Sequence, residues 1–390
     1  MAAVAVMDGS ESRPYQRSVT MEIAPRCASP MPELDEPIAA VAAPARTDLA
    51  GLTTAELSAL VVELGGKPFQ GTQLFRWIHK KGVTDFAAMT DLPKDLRARL
   101  AERTVVSTPD VVRKDTSSDG TTKFLLRLAD GRQIEAVFIP DTPSQTFCIS
   151  TQVGCAMKCG FCLTGTMGLT RHLTAAEIAG QVRVLARELD FLDTPFNIVV
   201  MGMGEPLHNY DATMKALALV GSEAGLHVSP RRVTLSTVGV VPGLEKLARE
   251  PYMPNLAISL HATTEAQRDR IVPINRKYSL ADLMEACRQF PLKKRSRITF
   301  EYVMLAGVND TPADARRLVR LLHGLRAKVN LLPLNEAAGI PYQRPSDATV
   351  DAFAQILADA HVTVSVRKSR GRDIRAACGQ LAVEKNAAIS

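Results

Sequence analysis

From residue 145 onward the chain repeats one pattern: a short apolar run, a polar or glycine-containing stop, then a segment of helical period. Runs at Phe147–Gln152, Phe196–Met201, Arg232–Thr237, Leu256–Leu260, Ile298–Leu305 and Val329–Leu334 read as strands. The helical segments between them begin near Thr174, Tyr210, Gly243, Thr264, Thr311 and Ser346, and Thr174-x-x-Glu177 is a capping box. Strands that alternate with helices run parallel, because each crossover helix returns the chain to the same edge. The expected fold is therefore α/β, a parallel sheet curled into an open, partial β/α barrel over residues 145–378. Val362–Val366 offers one more strand.

Upstream the period changes. Residues 1–50 are rich in Ala and Pro, show no periodicity and read as a disordered tail that includes Cys27. Residues 51–104 read as a small helical domain. Leu57, Leu60, Val61 and Leu64 form one stripe before Gly65-Gly66; Leu74, Phe75 and Ile78 form a second around Trp77; Asp91-Leu92-Pro93 opens a third. Its edge carries His79-Lys80-Lys81, which suits either a plain packing domain or a module that grips RNA. Residues 105–144 read as a β-hairpin extension, with alternating Lys123–Leu128 and Ile134–Ile139 and turn signals at Asp119-Gly120 and Asp130-Gly131. Glu135 shares a strand face with Val137 and Ile139, so its carboxylate sits at a solvated edge or points into a cleft with a raised pKa; the pattern favours the edge. Residues 379–390 read as a C-terminal tail.

The chemistry concentrates in Gly154-Cys155-Ala156-Met157-Lys158-Cys159-Gly160-Phe161-Cys162. One short loop can turn these three thiols onto a single centre, yet no His or Cys nearby supplies a fourth ligand. Structural zinc and cuboidal iron–sulfur clusters both normally take four. Three thiolates on a cluster leave one iron open to a small molecule, whereas the bland reading is an incomplete zinc loop. The C-x3-C-x2-C spacing, with an aromatic residue before the last Cys, resembles the radical S-adenosylmethionine (SAM) signature.

In β/α barrels reactive groups collect where strands end. Here those ends are the cysteine loop, Gly202-Met203-Gly204-Glu205, Ser236-Thr237, Ser259-Leu260-His261 and Pro333-Leu334-Asn335. Taken singly each suits a turn, a cap or a satisfied hydroxyl; together around one mouth they suit a cofactor cradle. The Gly202–Glu205 stretch lacks the pattern of a phosphate loop, and a glycine pair followed by a carboxylate suits an approaching ammonium group. Toward the C-terminus Arg367, Lys368, Arg370, Arg372 and Arg375 surround Asp373, and Cys378-Gly379 follows. Such a cluster is solvated surface or neutralises phosphate, and its field would lower a thiol pKa. Cys148 lies on the first strand, while Cys287, among Leu283, Met284 and Ala286, reads as a buried hydrophobe.

Composition agrees without deciding. Hydrophobic residues make up 46% of the 390 residues, and no apolar run approaches the roughly 18 residues of a membrane span. Met1–Met7 reaches Asp8 too soon for a signal-peptide core. A cytoplasmic protein with reduced thiols is expected, with no membrane partner, and seven cysteines do not suggest a disulfide framework. A net charge of +6 is compatible with a nucleic-acid partner.

With the cysteine loop, Gly204-Glu205, Glu135, Cys148 and Cys378 taken together, the chain resembles the bacterial radical-SAM RNA methyltransferases that modify C2 of adenosine. The resemblance runs from about Leu52 to Cys378 and includes Lys67–Gly71 and Trp77-Ile78-His79. It implies a 4Fe–4S cluster on Cys155, Cys159 and Cys162, and SAM on Gly204, Glu205, Ser236, Ser259, Leu260, His261 and Asn335. It implies two SAM per turnover, 23S rRNA and tRNA as substrates, and a flavodoxin- or ferredoxin-type electron donor. By the same resemblance Cys378 carries a methyl group, Cys148 resolves a protein–RNA adduct through a transient disulfide with Cys378, and Glu135 takes the C2 proton, against the solvated-edge reading. A paralogue that methylates C8 and confers antibiotic resistance shares these motifs. Three clustered cysteines in a basic chain are also compatible with a zinc-stabilised RNA-binding protein without catalysis. A radical-SAM enzyme of small metabolites would share the cysteine loop but has no need of the basic C-terminal segment or the Cys148/Cys378 pair.

Overall fold

The computed structural model describes residues 46–140 and 145–383. Most of the segment read as an N-terminal tail, up to residue 45, lies outside the described residues. From Thr47 the chain is part of the fold: β1 (Thr47–Asp48) pairs in parallel with β2 (Thr104–Val105) and so closes the helical segment at both ends. Between them stand α1 (Thr54–Glu63), α2 (Pro68–His79) and α3 (Lys94–Arg103). A Thr53/Glu56 capping box starts α1 and Pro68 starts α2. Leu57, Val61, Leu74, Phe75, Ile78, Leu96 and Leu100 fill the space between the three helices.

A ten-stranded sheet forms the rest of the frame, in the order β14-β13-β12-β11-β10-β9-β6-β5-β4-β3. Its antiparallel edge is β3 (Asp110–Thr116), β4 (Thr122–Arg127) and β5 (Gln133–Ile139). The segment read as a hairpin extension is thus three strands, and β5 pairs with β6 (Thr146–Cys148) through Val137↔Cys148 and Ile139↔Thr146. The parallel part runs from β6 through β9 (Asn197–Val200), β10 (Val233–Thr237), β11 (Asn255–Ser259), β12 (Ile298–Met304) and β13 (Ala327–Pro333) to β14 (Thr363–Val366). The two end strands do not meet, so the barrel is open, and the strand anticipated at Val362–Val366 is its far edge. All seven residues of β12 are buried, as expected where helices and loops cover both faces of a parallel sheet.

The crossover helices are α5 (Ala175–Glu188), α6 (Tyr210–Gly221), α7 (Val241–Leu247), α8 (Glu265–Ile271) with α9 (Leu280–Gln289), α10 (Pro312–Leu322) and α11 (Asp347–Asp359). Side-chain caps from Thr174, Thr264, Ser279, Thr311 and Ser346 accept backbone N–H groups at five of these starts. The helix read as starting near Gly243 begins at Val241 because Pro242 presets the first turn.

The first barrel strand departs from expectation. The run Phe147–Gln152 is broken after Cys148, and Gln152–Gly154 forms β7, paired with β8 (Leu169–His172). The break costs no backbone hydrogen bonds at Ser150, because the Gln181 side chain accepts from Ser150 N–H at 2.8 Å and donates to its carbonyl at 2.8 Å. That swerve, followed by the short helix α4 (Leu163–Thr166), carries the cysteine loop across the mouth of the barrel.

Candidate active site

Parallel strands deliver their C-terminal ends to one side, and a cavity of ≈ 170 Å³ opens there. Cys155, Cys159 and Cys162 line one wall; Gly204, Glu205, Ser236 and Ser259 line another; His261, Asn335 and Cys378 complete it. Leu260, Cys148 and Glu135 are not on the wall.

Backbone geometry shapes the cysteine loop. Gly154 has φ +79, and a Cβ there would lie 1.9 Å from the Gly168 carbonyl oxygen, so no other residue fits. Cys155 N–H donates to that same carbonyl at 2.8 Å, and Gly160 N–H donates to Ile271 at 3.0 Å. Beneath the loop Arg268 is completely buried. Its guanidinium donates to Leu260, Val238 and Ser259 carbonyls and to Asn275 Oδ1, and it lowers the Cys159 thiol pKa against the larger effect of burial. Burial raises all three thiols, Cys155 to about 12. Three thiols that stay neutral until a cation displaces their protons, over a fixed guanidinium, suit an anionic iron–sulfur cluster. Among the described residues no three His, Cys, Asp or Glu side chains converge tightly enough for one metal ion.

The opposite wall offers polar groups already oriented. Glu205 is buried; its Oε1 accepts from Leu207 N–H at 3.0 Å and its Oε2 from Val238 N–H at 2.9 Å, yet burial still lifts its pKa to about 7. Gly204 has φ +107, and any Cβ would be 2.7 Å from Gln152 Cβ. Gln152 Oε1 in turn accepts from Glu205 N–H at 2.8 Å. Val303 N–H donates to His261 Nδ1 at 3.0 Å, so the neutral ring carries its proton on Nε2, and burial pushes its pKa to about 3. The Ser236 and Ser259 hydroxyls stand 3.3 Å apart. Asn335 Nδ2 donates to the Cys378 carbonyl at 3.4 Å, while its Oδ1 is buried without a partner among the described residues. An orphaned buried acceptor in a cavity wall is what a bound ligand would satisfy.

Around Cys378 the structure corrects two expectations. Its thiol is solvent-accessible, but the packed surroundings raise its pKa; Arg367 opposes this, and Glu301 and Cys162 add to it. The basic segment therefore does not make a thiolate of it. Nor is the chain beyond Cys378 a free tail: Leu163 N–H donates to Gly379, Thr164 Oγ1 to Leu381, and Ala382 N–H to Glu135 Oε2 at 2.9 Å. Residues 384–390 lie outside the described residues. Cys148 is buried on β6; burial raises its thiol pKa, and the nearby Cys378 thiol adds to the rise. Cys287 is buried in α9, as read.

Glu135 overturns the solvated-edge reading. It is 2% exposed, because β4 and β6 flank it and the C-terminal segment covers it. Lys123 Nζ, itself buried, pairs with Oε1 at 2.9 Å; burial still raises the carboxyl pKa. His79 leaves the basic edge proposed for RNA: it is buried and stacked on Phe75 at 4.3 Å, whereas Lys81 lies over the Trp77 ring. Sequence reasoning missed Glu301, a buried cavity carboxylate whose Oε1 accepts from Asn330 Nδ2 at 2.8 Å. A Glu inside the apolar run Ile298–Leu305 was the available signal.

Comparison with known proteins agrees with this geometry. Residues 149–320 match the radical SAM superfamily, which defines the class: an α/β enzyme with an iron–sulfur cluster and SAM. Residues 47–106 match the N-terminal domain of the ribosomal RNA large subunit methyltransferases. The dual-specificity RNA methyltransferase RlmN of Anaeromyxobacter dehalogenans is 50% identical, over 86% of this chain and 92% of its own. That of Geobacter sulfurreducens is 51% identical, over 86% and 91%. A crystal structure of a radical SAM methyltransferase from Sphaerobacter thermophilus superposes with a TM-score of 0.82 at 45% identity, covering 86% of this chain and 99% of that one. The chain belongs to the RlmN family of radical-SAM RNA methyltransferases.

Proposed function

We propose that this enzyme methylates C2 of an adenosine in 23S rRNA and of an adenosine in tRNA, with Cys378 as the methyl carrier. The observation that carries this reading is the accessible Cys378 thiol on the wall of the cavity that the three loop cysteines line. Cys155, Cys159 and Cys162 hold the cluster, and Glu205, His261, Asn335 and the serine pair, with the backbone at Gly204 and Leu260, hold SAM. When bound, these groups supply a methyl group and, from a second SAM, a carbon-centred radical, given an electron from a flavodoxin- or ferredoxin-type donor.

The chain's own residues do the rest. Cys378 sulfur takes the methyl group and loses its proton. An sp2 carbon such as C2 has no lone pair with which to attack a sulfonium, so a methyl group presented on sulfur and bonded to C2 as a radical avoids that barrier. The adenine leaves its stack to enter the mouth. Glu135 takes the C2 proton once Lys123 and Ala382 N–H release its carboxylate; its raised pKa suits it to hold that proton. Cys148 then loses its proton and bonds to Cys378 sulfur as the sulfur–methylene bond breaks. The carbon takes up a proton and becomes the methyl group, the odd electron left by radical addition would return to the cluster, and external thiols reduce the disulfide. Lys80, Lys81 and the cations of 367–375 contact RNA phosphates.

Cys148→Ala is expected to trap a covalent RNA–protein adduct under anaerobic turnover, visible as a shifted band on a denaturing gel. Cys378→Ala should give neither adduct nor product. Nucleoside mass spectrometry of wild-type product separates the two regiochemistries: 8-methyladenosine as the main species overturns the reading.

A further inference from the structure

We propose that the barrel has a second RNA site on its floor, a groove that binds phosphates of the substrate's backbone far from the reacting adenosine. The groove encloses ≈ 630 Å³ at the N-terminal ends of β10, β11, β12 and β13. Six cations line it: Arg231, Lys293, Lys294, Arg295, Arg297 and Lys328. No carboxylate lines it, and none of the six forms an ion pair among the described residues. Arg297 donates to the neutral Thr363 hydroxyl at 2.8 Å and keeps its charge uncompensated. Gathering like charges costs free energy in the free protein and is repaid when a polyanion releases its counterions there.

The loop that carries Lys293-Lys294-Arg295 is held in shape. Arg326 donates to the carbonyls of Leu292 and Lys293 at 2.9 and 3.2 Å, and Ser296 N–H donates to Lys293 at 3.0 Å. Arg295 adopts φ 69, a left-handed conformation that a non-glycine residue holds only when its surroundings impose it. Apolar residues (Met253, Leu256, Phe290) form the groove's back, and no exposed aromatic ring lines it for base stacking. Charge without stacking surface fits a phosphodiester backbone and not splayed bases.

The groove opens at the N-terminal ends of the strands whose C-terminal ends face the cysteine loop. A folded RNA is long enough to reach both ends.

The inference rests on the RNA-substrate reading, and its test keeps the two apart. Wild-type enzyme and the triple variant Lys293→Ala/Lys294→Ala/Arg295→Ala are titrated with full-length tRNA, with a 23S rRNA fragment and with an isolated anticodon-loop oligonucleotide, across a range of salt. For the long RNAs the variant should bind about tenfold more weakly, and the slope of log affinity on log salt should fall by roughly 2. The short oligonucleotide, which occupies the mouth alone, should bind both proteins equally. Unchanged binding of the long RNAs overturns the floor site, as does an equal loss for long and short RNA. Intact RNA binding with slower reduction by an acidic flavodoxin also overturns it, assigning the groove to a protein. Wild-type enzyme that methylates neither RNA sinks the RNA reading itself. Melting temperature guards against misfolding, and exposed Lys and Arg side chains are expected to leave it unchanged.

Discussion

Glu205 shows how far burial outweighs hydrogen bonding at a single residue. Two backbone N–H groups stabilise its charged form, yet its pKa stands near 7 against an ordinary 4.5, because no cation meets it in the closed cavity. A raised carboxyl pKa means that the folded state binds more protons than the unfolded state between those values. Stability of the protein free of SAM is therefore expected to fall as pH rises from 4.5 toward 7 and to level off above it. Glu205→Gln should flatten that part of the melting-temperature profile; a profile unchanged by the substitution would show that Glu205 does not set it. An ammonium group brought against Glu205 reverses the sign of the effect, which is why a glycine pair leads up to it. Gly204 and Gly154 were legible as motif members, but the reason for each, a Cβ collision with Gln152 or with the Gly168 carbonyl, lies in chain segments brought together by folding.

At the scale of elements, the informative unit is the antiparallel edge with the C-terminal segment laid over it. Lys123 on β4 and Glu135 on β5 are both buried and paired, with Ala382 N–H from the chain's end on the other carboxylate oxygen. Removing one member of a buried pair strands the other, at a cost of about 3–5 kcal/mol. Lys123→Met should therefore destabilise the protein by that order at pH 8 and by less at pH 5, because burial raises the Glu135 carboxyl pKa and a lower pH favours its neutral form. Adding Glu135→Gln should restore most of the loss. Denaturant midpoints at the two pH values measure this, and a pH-independent loss would argue for a packing defect instead. Alternation along Ile134–Ile139 identified the strand but misplaced Glu135, because one strand's pattern does not reveal what covers its outer face.

At the scale of the molecule, the N-terminal helices and the barrel share packing surfaces. Ala176 of α5 packs against Gly51, and Lys215 of α6 pairs with Glu56 of α1 at 2.8 Å. Buried Ala176 on α5 would lose that cover without its neighbour. A chain beginning at residue 107 is expected to bind a hydrophobic dye and to melt several degrees lower than the full chain; equal melting and no dye binding would show that the barrel stands alone.

The strand–helix alternation, the three-cysteine loop, the capping residues and the polar strand ends were all readable from the chain, since each is a short-range pattern with its own physical cause: backbone period, ligand spacing, unsatisfied helix N–H groups. Folding alone settled which residues share the cavity wall, that Glu135 and Lys123 meet beneath the C-terminal segment, that Cys378 keeps a raised thiol pKa despite its basic neighbours, and that six cations gather on the barrel floor. Those outcomes depend on burial and on contacts between residues as far apart as 135 and 382, and desolvation belongs to a place in the folded protein, not to a residue type.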